Sequence, residues 1–88
     1  MFSKSKYVVG KVSSKYADIL CAVVFTETLN HSDFTRFFIE GSITSAGFCH
    51  YTDDKVCVYG ESTSLRLKSK PEDEILVGRA LAHPNYIT

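Results

Sequence analysis

Apolar and polar positions alternate along much of the chain with a period of two, and that pattern predicts a sheet. Over residues 6–12, Tyr7 and Val9 fall on one face and Val8 and Val12 on the other, with Gly10 at a bulge position. After the polar break Ser13-Ser14-Lys15, residues 19–25 are apolar at both parities, the pattern of a strand covered on both faces. A helix over 16–29 is the rival. Val23, Val24, Phe25, Thr26 and Thr28 lose side-chain freedom in a helix, so the strand is preferred.

Helical spacing begins after Leu29. Asn30 is placed to cap, Asp33 stands at the third helical position, and Leu29 can staple onto Phe34. Phe34, Phe37 and Phe38 then form one apolar face, and Gly41 supplies the left-handed residue that ends a helix. So short a helix must be docked to persist in water. Full burial would make Phe37→Ala or Phe38→Ala cost about 3–5 kcal/mol.

A hairpin comes next, with strands at 43–51 and from Val56 onward around the turn Thr52-Asp53-Asp54-Lys55. Its register pairs Tyr51 with Val56, His50 with Cys57, Cys49 with Val58, Phe48 with Tyr59, and Gly47 with Gly60. Tyr51, Cys49, Val56 and Val58 then share one face, and Phe48, His50, Cys57, Tyr59 and Glu61 the other. The two facing glycines mark a dent or bend open to a helix, a partner or a ligand, with close helix packing the preferred reading. Residues 62–68 alternate as an amphipathic strand with Thr63, Leu65 and Leu67 inward. Pro71 opens the last helix, with Glu72, Asp73 and Glu74 in its first turn and Lys70 at the cap position; Leu76, Val77, Ala80 and Leu81 form its buried stripe. Arg79 and His83 suit its C-terminal end, Pro84 stops it, and Gly78 implies close packing.

The predicted fold is α+β: a mainly antiparallel sheet of about four to five strands with two helices packed on one face, in the order β-β-α-β-β(-β)-α. Residues 1–88 form a single domain, since a chain this short buries only about two-thirds of its unfolded surface. An apolar share of 44% supports a core and excludes a disordered chain. If residues 19–25 are covered on both sides, two helices on one face leave the other bare, and a second copy is the simplest cover. A homodimer is therefore expected.

Charge narrows the functional classes. Ten basic residues balance ten acidic ones, so only a local patch could hold nucleic acid. No apolar run reaches the length of a membrane span, and Gly10 and Lys11 break the N-terminal apolar stretch, so neither a membrane nor a secretory segment is expected and the cytoplasm is the default location. Cys21, Cys49 and Cys57 include no CxxC pair and are read as reduced, packed thiols.

Candidate chemistry is confined to the hairpin and to residues 61–68 beyond it. His50 and Cys57 are cross-strand neighbours, with Tyr59 and Glu61 further along the same face, the beginning of a cysteine nucleophile or a polar binding face. Cys49 and His50 point to opposite faces, so neither a metal site nor a cofactor is expected. Gly60-Glu61-Ser62 opens like a nucleophile elbow but lacks the closing glycine and the succeeding helix, which favours solvent-facing hydroxyls on a strand. Ser62 and Ser64, with Arg66 and Lys68 beyond them, have groups that suit phosphate. His31 beside Ser32 and Asp33 reads as an exposed polar residue at a capped helix start, its neighbouring carboxylate leaving room for a titrating histidine.

The first expectation is a non-catalytic protein-interaction or assembly module acting as a homodimer. The alternative is a single-stranded nucleic-acid-binding domain using Lys4, Lys6, Lys11, Lys15, Arg66, Lys68 and Lys70 with the hairpin aromatics. The second alternative is a small thiol- or serine-dependent enzyme.

Overall fold

A hairpin of β1 (Ser5–Ser13) and β2 (Asp18–Thr26) forms the spine of the fold in the computed structural model, which describes residues 4–52, 55–82 and 86–87. Ser14 closes its turn: the Ser14 backbone N–H donates to the Ala17 carbonyl at 3.0 Å, and the Ala17 N–H donates to Ser14 Oγ at 3.1 Å. β3 (Ser45–Thr52) joins the other edge of β1, and β4 (Lys55–Tyr59) pairs with β3. β7 (Tyr86–Ile87) lies parallel to β2 at Val24 and Phe25, giving the order β4-β3-β1-β2-β7. Each neighbouring pair of the four longer strands is antiparallel, as predicted, and residues 18–26 are a strand. β7 was not predicted.

The strand parities divide the core in two. Tyr7, Val9, Ala22, Val24 and Cys49 face helix α1 (Asp73–Ala82), which contributes Val77 and Ala80. Val8, Val23, Phe25 and Ala46 face the opposite way and are covered by Phe34 and Phe38, with Leu29, Ile43, Leu65 and Leu67 around them. The two helices therefore lie on opposite faces, not on one. Tyr7 and Val8 are both fully buried neighbours on β1, so each face needed its own cover and the chain supplies both. This also corrects the expectation that a second copy covers one face of β2.

The first helix is a 3-10 helix over His31–Phe37, not a run continuing to Gly41. Asn30 N–H donates to Asp33 Oδ2 at 3.1 Å, and Asp33 N–H donates to the Asn30 carbonyl at 3.0 Å, so its start matches the predicted cap. With about three residues per turn, Phe37 stacks outboard of Phe34, ring centroids 5.6 Å apart, and stays 51% exposed. Phe38 comes next in extended conformation and is buried. A Cβ on Gly10 would come within 2.7 Å of the Phe38 ring, which explains that glycine, and its regular pairing with Cys21 removes the expected bulge.

The β3–β4 register is the predicted one from Phe48↔Tyr59 to Tyr51↔Val56, and continues to Thr52↔Lys55; the turn residues Asp53 and Asp54 lie outside the described residues. Gly60, at φ +76, bends the chain out of the hairpin. The dent at Gly47 is filled by the chain itself, since a Cβ there would stand 2.7 Å from the Tyr59 carbonyl oxygen and 3.0 Å from Ser69 Cβ. Residues 62–68 do not form one strand. Glu61–Ser62 (β5) pairs with Leu67–Lys68 (β6) around a tight turn in which Arg66 takes a positive φ of 57°. The alternation of Leu65 and Leu67 is instead used to dock this small hairpin onto the Phe25 side of the sheet. The predicted stop at His83 and Pro84 lies outside the described residues.

Candidate functional site

The residues singled out from sequence divide between two places. His50 and Cys57 are cross-strand partners, both half-buried, and the His50 ring lies 5.5 Å from that of Tyr59, which stacks on Phe48 at 5.9 Å. Lys4 Nζ sits 4.6 Å from the Phe48 ring centroid, completing a short aromatic row. Glu61 does not continue this face, because the bend at Gly60 carries it onto β5, where it pairs with Lys68. Ser62 is also displaced from its expected role. It is buried, accepts a hydrogen bond from the Leu65 backbone N–H at 3.3 Å and lies 3.3 Å from Ser64 Oγ. That hydroxyl holds the turn together and is turned away from solvent. Arg66 and Lys68 are exposed. Cys21, Cys49 and Cys57 are free thiols; burial raises the pKa of Cys21 and pushes that of Cys49 up to about 12, which keeps both protonated and unreactive near neutral pH. Among the described residues no cluster of three or more His, Cys, Asp or Glu could hold a metal.

Two buried polar groups were not legible as such. His31 is 5% exposed, wedged edge-on between the rings of Phe25 and Phe48, each 5.7 Å away. Its Nε2 lies 2.7 Å from the Gly47 carbonyl oxygen, which only accepts, so Nε2 bears the proton. Burial lowers the His31 pKa; the nearby Lys6 charge acts the same way and the Gly47 bond opposes them. This overturns the polar-surface reading of His31. Because the folded pKa lies below the ordinary value near 6.5, protons favour the unfolded chain. Stability contributed by neutral His31 is complete above about pH 6.5 and is lost as pH falls through that value toward the lowered folded pKa. Urea unfolding between pH 7.5 and 5 should show falling stability in the native chain and a flatter profile in His31→Gln.

The second group is Asp73. Tyr7 O–H donates to its Oδ2 at 2.6 Å, Ser45 O–H to its Oδ1 at 2.9 Å, and the Lys70 backbone N–H to its Oδ2 at 3.0 Å. Tyr7 and Ser45 are fully buried and Asp73 is nearly so. Burial, reinforced by the Asp73 carboxylate, holds the Tyr7 phenol above its ordinary pKa, so it serves as a donor and not as a nucleophile. The arrangement ties the start of α1 to β1 and β3.

The surface left open lies at the other end of the molecule. β3 pairs with β1 only as far as Val9, so the tip of the β1–β2 hairpin extends beyond the four-stranded part of the sheet. On the inner edge, Ile39 N–H donates to the Lys11 carbonyl at 2.8 Å and Thr44 N–H to that of Val9 at 3.0 Å. On the outer edge, the described residues give β2 no pairing partner before Val24. There Ile19 is 49% and Leu20 44% exposed, and Tyr16 in the turn is 89% exposed. Leu76, Arg79 and Ala80 of α1 meet Ile19, Leu20, Cys21 and Ala22 along a mainly apolar groove of about 200 Å³. The double-sided apolar pattern of 19–25 had signalled this strand, but only its first half is exposed.

Comparison with known proteins returns no match to a family model, a curated protein or a solved structure. No helix among the described residues is long and apolar enough to cross a membrane.

Proposed function

We propose that this chain is a non-catalytic assembly module that acts as a homodimer, joining copies along the outer edge of β2. The observation that carries the reading is the exposure of Ile19 and Leu20 on a strand edge that the described residues leave unpaired. Sheet edges are normally guarded by charge, proline or a bulge, and positions 19–22 hold Ile, Leu, Cys and Ala in regular pairing with β1. A second strand would satisfy the open backbone groups and cover the apolar side chains together.

Light scattering at micromolar concentration, at low and high salt, tests this. The expected result is a dimer that persists at high salt, with Leu20→Lys weakening association about 10-fold or more. Leu20 is exposed, so its replacement leaves the core intact. A monomer under all conditions would sink the reading.

A second reading, single-stranded nucleic-acid binding, is favoured by one observation: Tyr59, 39% exposed, beside His50 and Phe48 with Lys4 over the row. Adding a short oligonucleotide to the same measurement separates the two, since a monomer that binds it at low salt and releases it at high salt supports this reading.

A further inference from the structure

We infer that the partner on β2 is a second copy of this chain, paired antiparallel about a twofold axis at Leu20, with Asp18 of each copy set against Arg79 of the other. This rests on the proposed assembly role and fixes its geometry. A closed antiparallel pairing of one strand edge with itself has its twofold normal to the sheet. The axis therefore passes midway between one residue and its own counterpart on the other copy, and the two α1 helices lie on the same face.

The limits of the edge decide which residue this is. β2 begins at Asp18, and β7 occupies the edge from Val24. Pairing about Leu20 matches positions 18–22 of one copy with 22–18 of the other and stops short of β7. Pairing about Cys21 would bring Asp18 onto Val24, where β7 already lies, and pairing about Ile19 would match only positions 18–20 within β2.

The pairing about Leu20 also sorts the side chains. Ala22 and Val24 face α1, so Leu20 and Asp18, at the same parity, do as well. Leu20 meets Leu20 on the α1 side, and Ile19 meets Cys21 on the other. Asp18 comes opposite Ala22, beside which Arg79 lines the groove. Asp18 and Arg79 are both exposed, and among the described residues neither has an ion-pair partner. Within one copy they flank the edge that the described residues leave unpaired, Asp18 at the start of β2 and Arg79 on the helix beside Ala22; symmetry brings opposite charges together twice per dimer.

The test is sedimentation equilibrium on the native chain, Asp18→Arg, Arg79→Glu and the double variant, with circular dichroism to check folding. Each single reversal should weaken the dimer about 5- to 10-fold at low salt, and the double variant should return to within about 3-fold of the native value. Leu20→Lys should dissociate it irrespective of these charges. A dimer sensitive to Leu20→Lys but not rescued by the double reversal would overturn this register and leave the edge as the interface. A native chain that stays monomeric would overturn both.

Discussion

Replacing Asp73 by alanine is expected to lower stability by about 3–5 kcal/mol, read as a reduced urea midpoint with little change in slope. The carboxylate accepts from Tyr7, Ser45 and the Lys70 backbone at 2.6, 2.9 and 3.0 Å, and the first two donors are fully buried. Its removal strands those hydroxyls without water, and each unsatisfied buried donor costs about 1–3 kcal/mol. The N–H at Lys70 loses its cap at the same time. Tyr7→Phe should cost less, about 1.5–3 kcal/mol, because it deletes one donor to a charged group while Ser45 and Lys70 still hold the carboxylate. Equal losses in the two variants would contradict a network centred on Asp73. Asp73→Ala should also loosen α1 selectively, giving faster amide exchange in its first turn than in β1 or β3.

The second large effect separates two adjacent phenylalanines. Phe38→Ala is expected to cost about 3–5 kcal/mol and Phe37→Ala less than about 1 kcal/mol in the same unfolding assay. Phe38 is 7% exposed and fills the space over Gly10, where even a Cβ would come within 2.7 Å of its ring; Phe37 is 51% exposed and stacks on the outer side of Phe34. Comparable losses at both positions would mean that the helix turns as an α-helix and buries the two together.

This pair also shows where sequence reasoning stops. Spacing of i, i+3 and i+4 put all three phenylalanines on one α-helical face, but the difference between a 3-10 and an α turn is set by the segment after it. Ile39 N–H bonds to the Lys11 carbonyl, so the chain must leave the helix at Phe38 to run beside β1. Such a long-range demand leaves no local mark. The strand at 18–26 and the β3–β4 register were legible, because the β-branched and aromatic residues at 23–28 favour a strand over the rival helix and the short turn at 52–55 fixes which residues of the hairpin face each other. The alternation at 62–68 was legible at Leu65 and Leu67, which pack inward, and misleading at Ser62, which is buried, and Thr63, which is exposed, because a four-residue turn between β5 and β6 reverses the chain between Ser62 and Leu67.

The polar sites obeyed the same logic. His50 opposite Cys57 could be placed from register alone. His31 and Asp73 looked like helix-start residues and do stand at helix starts, yet their burial depends on where those helices dock, His31 against Gly47 and Asp73 against Tyr7 and Ser45. Homodimer formation was first expected from a bare sheet face. With both faces of the central sheet covered by the chain, apolar surface stays exposed at the edge, at Ile19 and Leu20.

Amide hydrogen exchange of residues 18–22, measured across a range of protein concentrations, reads that edge directly. Outward amides protected at high concentration and exposed on dilution, with the rest of β2 unchanged, are the predicted result. Exchange at these positions that is equally fast at every concentration would contradict the account.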